Sequence, residues 1–295
     1  MIRRRINLIE FHAIKARPLI LDGAIGSLLS ERNFPLDTNL WSSFANLTDL
    51  KAVKDIHKEY IAAGAEIITT NTFRTNPSVF SKSGLKISNK EFVEIGVSAA
   101  IEARGNHQII VAGSNAPAED CYQRERTLHY SELEFNHKNH IEFLWEAGCD
   151  IIWNETQSHL DEILLISKFC SENSLPFAMN LYFDEDLKIL SEENLNAVVD
   201  LVLEYSPEVI GFNCIKQKSF EKYLNQFSLP ERWGFYFNCG KNEIGNAKLE
   251  CGIEGDEYAK GVIPLLKFDP IFAGSCCGSN PDHTKELKEL FSEIY

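Results

Sequence analysis

Short apolar, β-branched runs recur along the chain, separated by stretches in which apolar residues return at helical spacing. The runs fall at residues 18–22, 66–70, 108–112, 150–153, 177–181, 208–212, 234–237 and 271–273. None alternates cleanly between apolar and polar, as expected of parallel strands buried on both faces. Within residues 48–63, Leu50, Val53, Ile56, Tyr60 and Ile61 recur near helical spacing, with Thr48 placed to cap the helix. Residues 131–147, 158–170 and 192–205 read likewise, and 281–294 opens on Pro281, which suits a first helical turn. Eight strands separated mainly by helices predict an α/β chain folded as one (β/α)8 TIM barrel. That domain spans residues 1–295, with 1–15 as a short N-terminal extension, because no linker or low-complexity tract divides the chain. The connections at 29–47 and 238–255 look irregular, and both follow strand C-termini, where such a barrel carries its substrate loops.

Composition changes this picture little. The 295 residues are 44% hydrophobic and 24% charged, as in ordinary globular proteins. A net charge of −14, with basic residues scattered apart from Arg3-Arg4-Arg5, disfavours nucleic acid and anionic membrane surfaces as partners. Asn7, Glu10 and His12 break the apolar run that follows those arginines, so it does not read as a signal peptide. No apolar stretch reaches the roughly 20 residues of a membrane span. Eight cysteines are too sparse for a disulfide scaffold in a chain this long, which points to the reducing cytoplasm.

The polar residues at the predicted strand ends carry more information. Asp22-Gly23, Thr70-Asn71-Thr72, Asn154-Glu155-Thr156, Asn213-Cys214, Asn238 and Cys276-Cys277 would all meet at the C-terminal face of the barrel, where active sites are built. Cys276 and Cys277 are flanked by Gly274-Ser275 and Gly278, which lets the backbone bend so that both sulfurs face one point. With Cys214 they would form three thiolate ligands to a zinc ion whose fourth tetrahedral position stays open, as a catalytic zinc requires. Zinc held by three thiolates carries a net charge near −1, which suits it to hold a fourth sulfur as a nucleophilic thiolate. Alkyl transfer to a thiol fits that chemistry better than hydrolysis, which usually relies on His and carboxylate ligands.

The ordered motifs Leu21-Asp22-Gly23-Ala24-Ile25-Gly26, Gly64-Ala65-Glu66, Thr70-Asn71-Thr72-Phe73, Glu155-Thr156, Gly211-Phe212-Asn213-Cys214 and Gly274-Ser275-Cys276-Cys277-Gly278 resemble the homocysteine S-methyltransferase family along nearly the whole chain. The resemblance implies a (β/α)8 barrel with zinc held by Cys214, Cys276 and Cys277, making methionine from homocysteine. It further implies that Asp22, the Gly23 backbone, Thr70 and Glu155 surround homocysteine, an acidic group suiting its ammonium and backbone N–H groups its carboxylate. Asn39-Leu40-Trp41-Ser42-Ser43 resembles the branch that takes its methyl from S-methylmethionine or S-adenosylmethionine. There the Trp41 indole would face a sulfonium, a cation–π contact of about 0.5–2 kcal/mol. Arg74 stands where the betaine-using members carry tyrosine, and Ala24, Ser27 and Ser275 replace the family's usual Gly, Thr and Gly.

Plainer readings accompany several of these residues. Trp41 either meets the donor or packs its loop, and Asn238 either orients a ligand or satisfies the turn after the seventh strand. Cys239 is read as a neighbour of the site, and Cys121, Cys149, Cys170 and Cys251 as ordinary thiols. Glu134, His137 and His140 have helical metal-site spacing, but without a second copy they read as a solvated helix face. Two other functions fit the same barrel. One is a metal-free hydrolase or lyase using Asp22 and Glu155 as acid and base. The other is a non-catalytic amino-acid-binding barrel, against which the intact cysteine set argues.

Overall fold

A computed structural model describes residues 5–241 and 250–295, so residues 242–249 of the predicted 238–255 connection and Arg3-Arg4 lie outside the described residues. Eight strands follow in order: β1 (Leu19–Ile20), β2 (Ile67–Thr69), β3 (Ile110–Asn115), β4 (Ile151–Gln157), β5 (Phe177–Leu181), β6 (Val209–Asn213), β7 (Trp233–Phe237) and β8 (Phe272–Ser275). Each pairs in parallel with its sequence neighbour from β2 to β8, and β8 returns to β1. The ring closes between β1 and β2 through a parallel bridge at Leu21 and Ile67, with Asp22 N–H donating to the Ile67 carbonyl at 2.9 Å. This is the expected (β/α)8 barrel.

The missing polar alternation has a direct cause. Leu19, Leu21, Ile67, Ile110, Ala112, Ile151, Trp153, Ala178, Val209, Tyr236 and Phe272 fill the barrel interior. Their neighbours Ile20, Ile68, Val111, Ile152, Phe177, Ile210, Phe235 and Ala273 pack outward against the helices. Both faces of every strand are therefore apolar until the mouth is reached. The Leu8–Lys15 helix lies within the predicted N-terminal extension. It packs Leu8 and Phe11 against the interior cluster at the opposite end, where Arg5 donates to the Cys149 and Trp145 carbonyls just ahead of β4.

Three local expectations are corrected. Thr48 ends a short helix, Ala45–Thr48, and Asp49 caps the next one, Leu50–Ala63, by accepting from the Ala52 N–H. β3 and β4 run past the predicted ends at 112 and 153, because their polar residues remain paired in the ladder. Asn115 Nδ2 donates to Asn154 Oδ1 at 2.8 Å, which lets two amides replace apolar neighbours there. The third correction concerns the supposed solvated face. Asn136, His137 and His140 are fully buried, and of the three residues with metal-site spacing Glu134 alone reaches out, pairing with Lys138. His140 contacts Thr75 and Asn115, while His137 donates to Glu162, so the imidazoles belong to an internal polar network rather than a metal site. No helix among the described residues is long and apolar enough to cross a membrane.

Candidate metal centre and its cavity

β7 sets the separation of the three cysteines. It lies between β6 and β8, and its last two carbonyls receive the N–H of Cys214 (from Tyr236, 3.1 Å) and of Cys276 (from Phe237, 2.7 Å). Cys214 leaves β6 in the left-handed region, at φ 57°, which turns its side chain toward the other two. Gly278 sits at φ 81°, and a Cβ there would lie 2.6 Å from Gly240 Cα. Only glycine meets both demands, so the turn that presents Cys276 and Cys277 depends on it. Ser27 fixes the same turn by accepting from Gly278 N–H at 2.9 Å, so the small hydroxyl residue there has a defined task.

The three sulfurs form a compact triangle. Cys214 Sγ lies 2.9 Å from Cys276 Sγ and 3.5 Å from Cys277 Sγ, with 3.9 Å between the vicinal pair. Among the described residues this is the one cluster of His, Cys, Asp or Glu ligand atoms with metal-binding geometry. Three sulfurs on one tetrahedral ion at about 2.3 Å stand about 3.8 Å apart, close to the two longer separations. The residues present can hold a thiophilic metal. Hydrogen bonds from Cys214 and Cys276 hold the Cys277 thiol well below the usual range, while the same contacts and burial push Cys276 well above it.

A cavity of about 590 Å³ opens above this triangle, and Asp22, Gly23, Trp41, Thr70, Glu155 and Asn238 all line it. Asp22 is buried, its two oxygens accepting from Thr69 N–H (2.9 Å) and Thr69 Oγ1 (3.1 Å); burial raises its carboxyl well above the ordinary value despite those bonds. Glu155 points inward from β4 and accepts from the Tyr236 hydroxyl at 3.2 Å. Burial pushes its carboxyl up to about 7, against the opposing hydrogen bonds from Ser114 and Tyr236. Thr70 is differently used: its hydroxyl accepts from Ser114 N–H and bonds Thr72, tying β2 to β3. Asn238 accepts from Gly240 N–H at 2.7 Å and so carries the turn after β7 from the cavity wall. Trp41 packs on the backbone of Gly26 and meets Phe73 edge-on at 6.2 Å, with part of its ring left at the cavity.

Gly23 is held by its neighbours as well as by the cavity. A Cβ there would stand 2.6 Å from Ser279 Oγ and 2.8 Å from the Tyr60 hydroxyl. Gly23→Ala is therefore expected to cost about 1–3 kcal/mol through overpacking. Thermal denaturation checks this, and an unchanged Tm would show that the loop gives way freely.

Other residues of the site escape sequence reasoning. Thr69, Ser114 and Tyr236 line the cavity from inward strand positions, two residues on from Ile67, Ala112 and Gly234. The period-2 alternation could have found them. Tyr122 has no such signal. It comes from the segment after β3 and donates to Cys214 Sγ at 3.1 Å across 92 positions of sequence. Cys121 beside it is buried and lines the same cavity, whereas Cys239 is buried with its thiol toward the Phe237 carbonyl, outside the triangle.

Known proteins resemble this chain in sequence and in fold. The family profile described as Homocysteine S-methyltransferase matches residues 19–291. The Homocysteine S-methyltransferase YbgG of Bacillus subtilis is 23% identical over 300 residues, covering 94% of this chain and 95% of that protein. The Homocysteine S-methyltransferase of Escherichia coli is 28% identical over 215 residues, covering 67% and 69% of the two chains. Crystal structures of the E. coli homocysteine methyltransferase MmuM share the fold. The oxidized form has a TM-score of 0.81 at 22% identity, covering 96% of this chain and 99% of that one, and the metallated form has 0.78 at 21%. With a match that spans nearly the whole barrel, including all three clustered cysteines, the chain belongs to the homocysteine S-methyltransferase family.

Proposed function

We propose that this protein transfers a methyl group from a sulfonium donor, S-methylmethionine or S-adenosylmethionine, to the sulfur of homocysteine, giving methionine. The convergence of Cys214, Cys276 and Cys277 beneath a cavity that also holds Asp22 and Glu155 carries this reading. The three cysteines would hold zinc, which when bound keeps a fourth sulfur as thiolate at neutral pH, where a free thiol of pKa about 8.5 is mostly protonated. The homocysteine thiol would give its proton to solvent as it becomes the thiolate. The sulfur lone pair then forms a bond to the donor's methyl carbon as the donor's C–S bond breaks. Its electron pair stays on the donor sulfur, which departs as a neutral thioether.

The chain's own groups orient that encounter. Glu155, steadied by Tyr236, receives the homocysteine ammonium, and Asp22 adds a second acidic wall beside the Gly23 backbone. Trp41 and Phe73 offer aromatic edges and faces to the donor's sulfonium. Unpaired thiolate ligands need a reducing compartment, which supports a cytoplasmic site of action.

One assay tests the reading: purified protein, homocysteine and each donor in turn, with zinc measured by elemental analysis. Methionine formation with one zinc per chain is expected. Reconstituted protein that is inactive with every donor would sink the assignment.

Glu155 adds a pH signature. Its raised carboxyl is neutral below about 7 and charged above it. Only the charged form attracts an ammonium, so kcat/KM for homocysteine is expected to rise through that pH. Glu155→Gln should lower kcat/KM by roughly 10²-fold, in the range of a lost charge-assisted contact, and erase that limb. A Gln variant that keeps the same limb would assign it to another group.

A further inference from the structure

Acidic groups outnumber cations in the cavity lining. Among the described residues, its ionisable carboxyls are those of Asp22, Glu119, Asp120 and Glu155, and its cations are Arg74 and Lys82. Beneath them lie Cys214, Cys276 and Cys277, which with zinc bound would carry a net charge near −1. A donor that is a sulfonium cation enters such a cavity readily, but a donor that also carries a carboxylate meets repulsion unless a cation receives that group. Lys82 is exposed at the rim, whereas the Arg74 side chain is only 15% exposed.

Arg74 is also fixed in place. Its Nη1 donates to the Glu119 carbonyl at 2.9 Å, its backbone N–H donates to Ser43 Oγ at 3.2 Å, and its guanidinium lies 5.5 Å from the Phe73 ring centre. Asp120, 60% exposed, approaches Nη2 only to 3.7 Å, beyond a hydrogen bond. Most of the five guanidinium N–H donors therefore remain for a ligand, in a fork that matches a carboxylate. Phe73 precedes Arg74 and meets Trp41 edge-on, so aromatic surface for a sulfonium adjoins a cation for a carboxylate. An amino-acid sulfonium carries those two groups a few bonds apart.

We propose that Arg74 binds the α-carboxylate of the methyl donor and makes the outer cavity selective for sulfonium donors that are amino acids. This rests on the methyl-transfer reading above, and the test separates the two. S-methylmethionine and its carboxamide share the sulfonium and the ammonium and differ only in the carboxylate. Equilibrium binding of each to the zinc-loaded protein, alongside steady-state rates with homocysteine, is measured for wild type, Arg74→Ala and Arg74→Lys. Wild type should prefer the acid over the amide by roughly ten- to hundredfold, the range of a charge-assisted contact. Arg74→Ala should lose that preference, raising Kd and KM for S-methylmethionine while leaving the amide, the homocysteine KM and the zinc content unchanged. Arg74→Lys should retain part of it. Equal weakening of both ligands would reduce Arg74 to a brace for the Glu119 loop and overturn the proposal, as would a wild type indifferent to the carboxylate. Binding discrimination without turnover from any donor would instead uphold Arg74 and overturn the methyl-transfer assignment.

Discussion

Replacing Cys276 with alanine is expected to abolish bound zinc and methyl transfer together. Its sulfur is 2.9 Å from Cys214 Sγ and 3.9 Å from Cys277 Sγ, so its loss breaks two of the triangle's three edges. Two thiolates leave a site too poor in ligands to hold the ion against water and cellular thiols. Homocysteine then enters as a free thiol, a few per cent ionised at neutral pH, with nothing to hold its sulfur in line with the donor. Lost ionisation and lost alignment together should lower kcat/KM by at least about 10³-fold. Elemental analysis and the methionine assay read the two losses independently. Folding should survive, because Cys276 is partly exposed and the turn is held by Gly278 and Ser27 rather than by the thiol. Cys214→Ala and Cys277→Ala should behave alike. A metal-free hydrolase or lyase built on Asp22 and Glu155 would instead keep its activity in Cys276→Ser, and full metal content in any of the three variants would refute the ligand set.

Much of this site was legible because a barrel converts sequence position into spatial position. Asp22, Glu155, Cys214 and Cys276 lie far apart in the chain, yet each follows or ends an apolar run, and all strand ends of a closed parallel barrel meet. Where apolar runs give way to polar residues, hydrophobic patterning places the strand ends too early. β3 continues through Ser114-Asn115 and β4 through Asn154 to Gln157, because amides that bond one another can stay in the ladder. Helix Asn89–Arg104 went unseen, its buried face being built partly from Gly96, Ala99, Ala100 and Ala103, which give weak periodicity. Its Ser88 cap, which accepts from Glu91 N–H, was the available signal. Helix Gly255–Leu266 was hidden by its glycines and by Pro264. Tyr122 could not be found at all, since its place beside Cys214 depends on how a long loop folds back over the mouth. The burial of His137 and His140 is hidden from the sequence for a related reason. Their partners Asn115 and Glu162 come from other elements, and a helical wheel carries no trace of them.

The same buried network supplies the second large effect. Glu162→Gln is expected to destabilise the protein more than any surface change. Glu162 is fully buried, and its Oε1 accepts from His137 Nε2 and Ala118 N–H, each at 2.8 Å, while Oε2 accepts from Arg126 Nη2 at 2.9 Å. Burial alone would raise its carboxyl, but the His137 and Arg126 contacts and the Ala118 N–H outweigh it and hold the group at about 2 rather than 4.5. A shift of that size corresponds to about 3 kcal/mol, in line with the roughly 3–5 kcal/mol lost when a buried ionic contact loses one partner. The expected Tm drop is on the order of 5–15 °C. The sign of the pH dependence follows from the lowered value: the carboxylate's contribution is fully present above its unfolded pKa and is lost as pH falls toward 2. Wild type and Glu162→Gln should therefore differ most near neutrality, and the gap should close by about half near pH 3. A gap that stays constant from pH 6 to pH 3 would place the effect in lost packing rather than in charge. Zinc content separates this variant from the cysteine variants. Glu162 anchors the segment that brings Tyr122 to Cys214, whereas the three cysteines hang from β6 and β8. The metal should stay, and only the wall of the cavity above it should loosen.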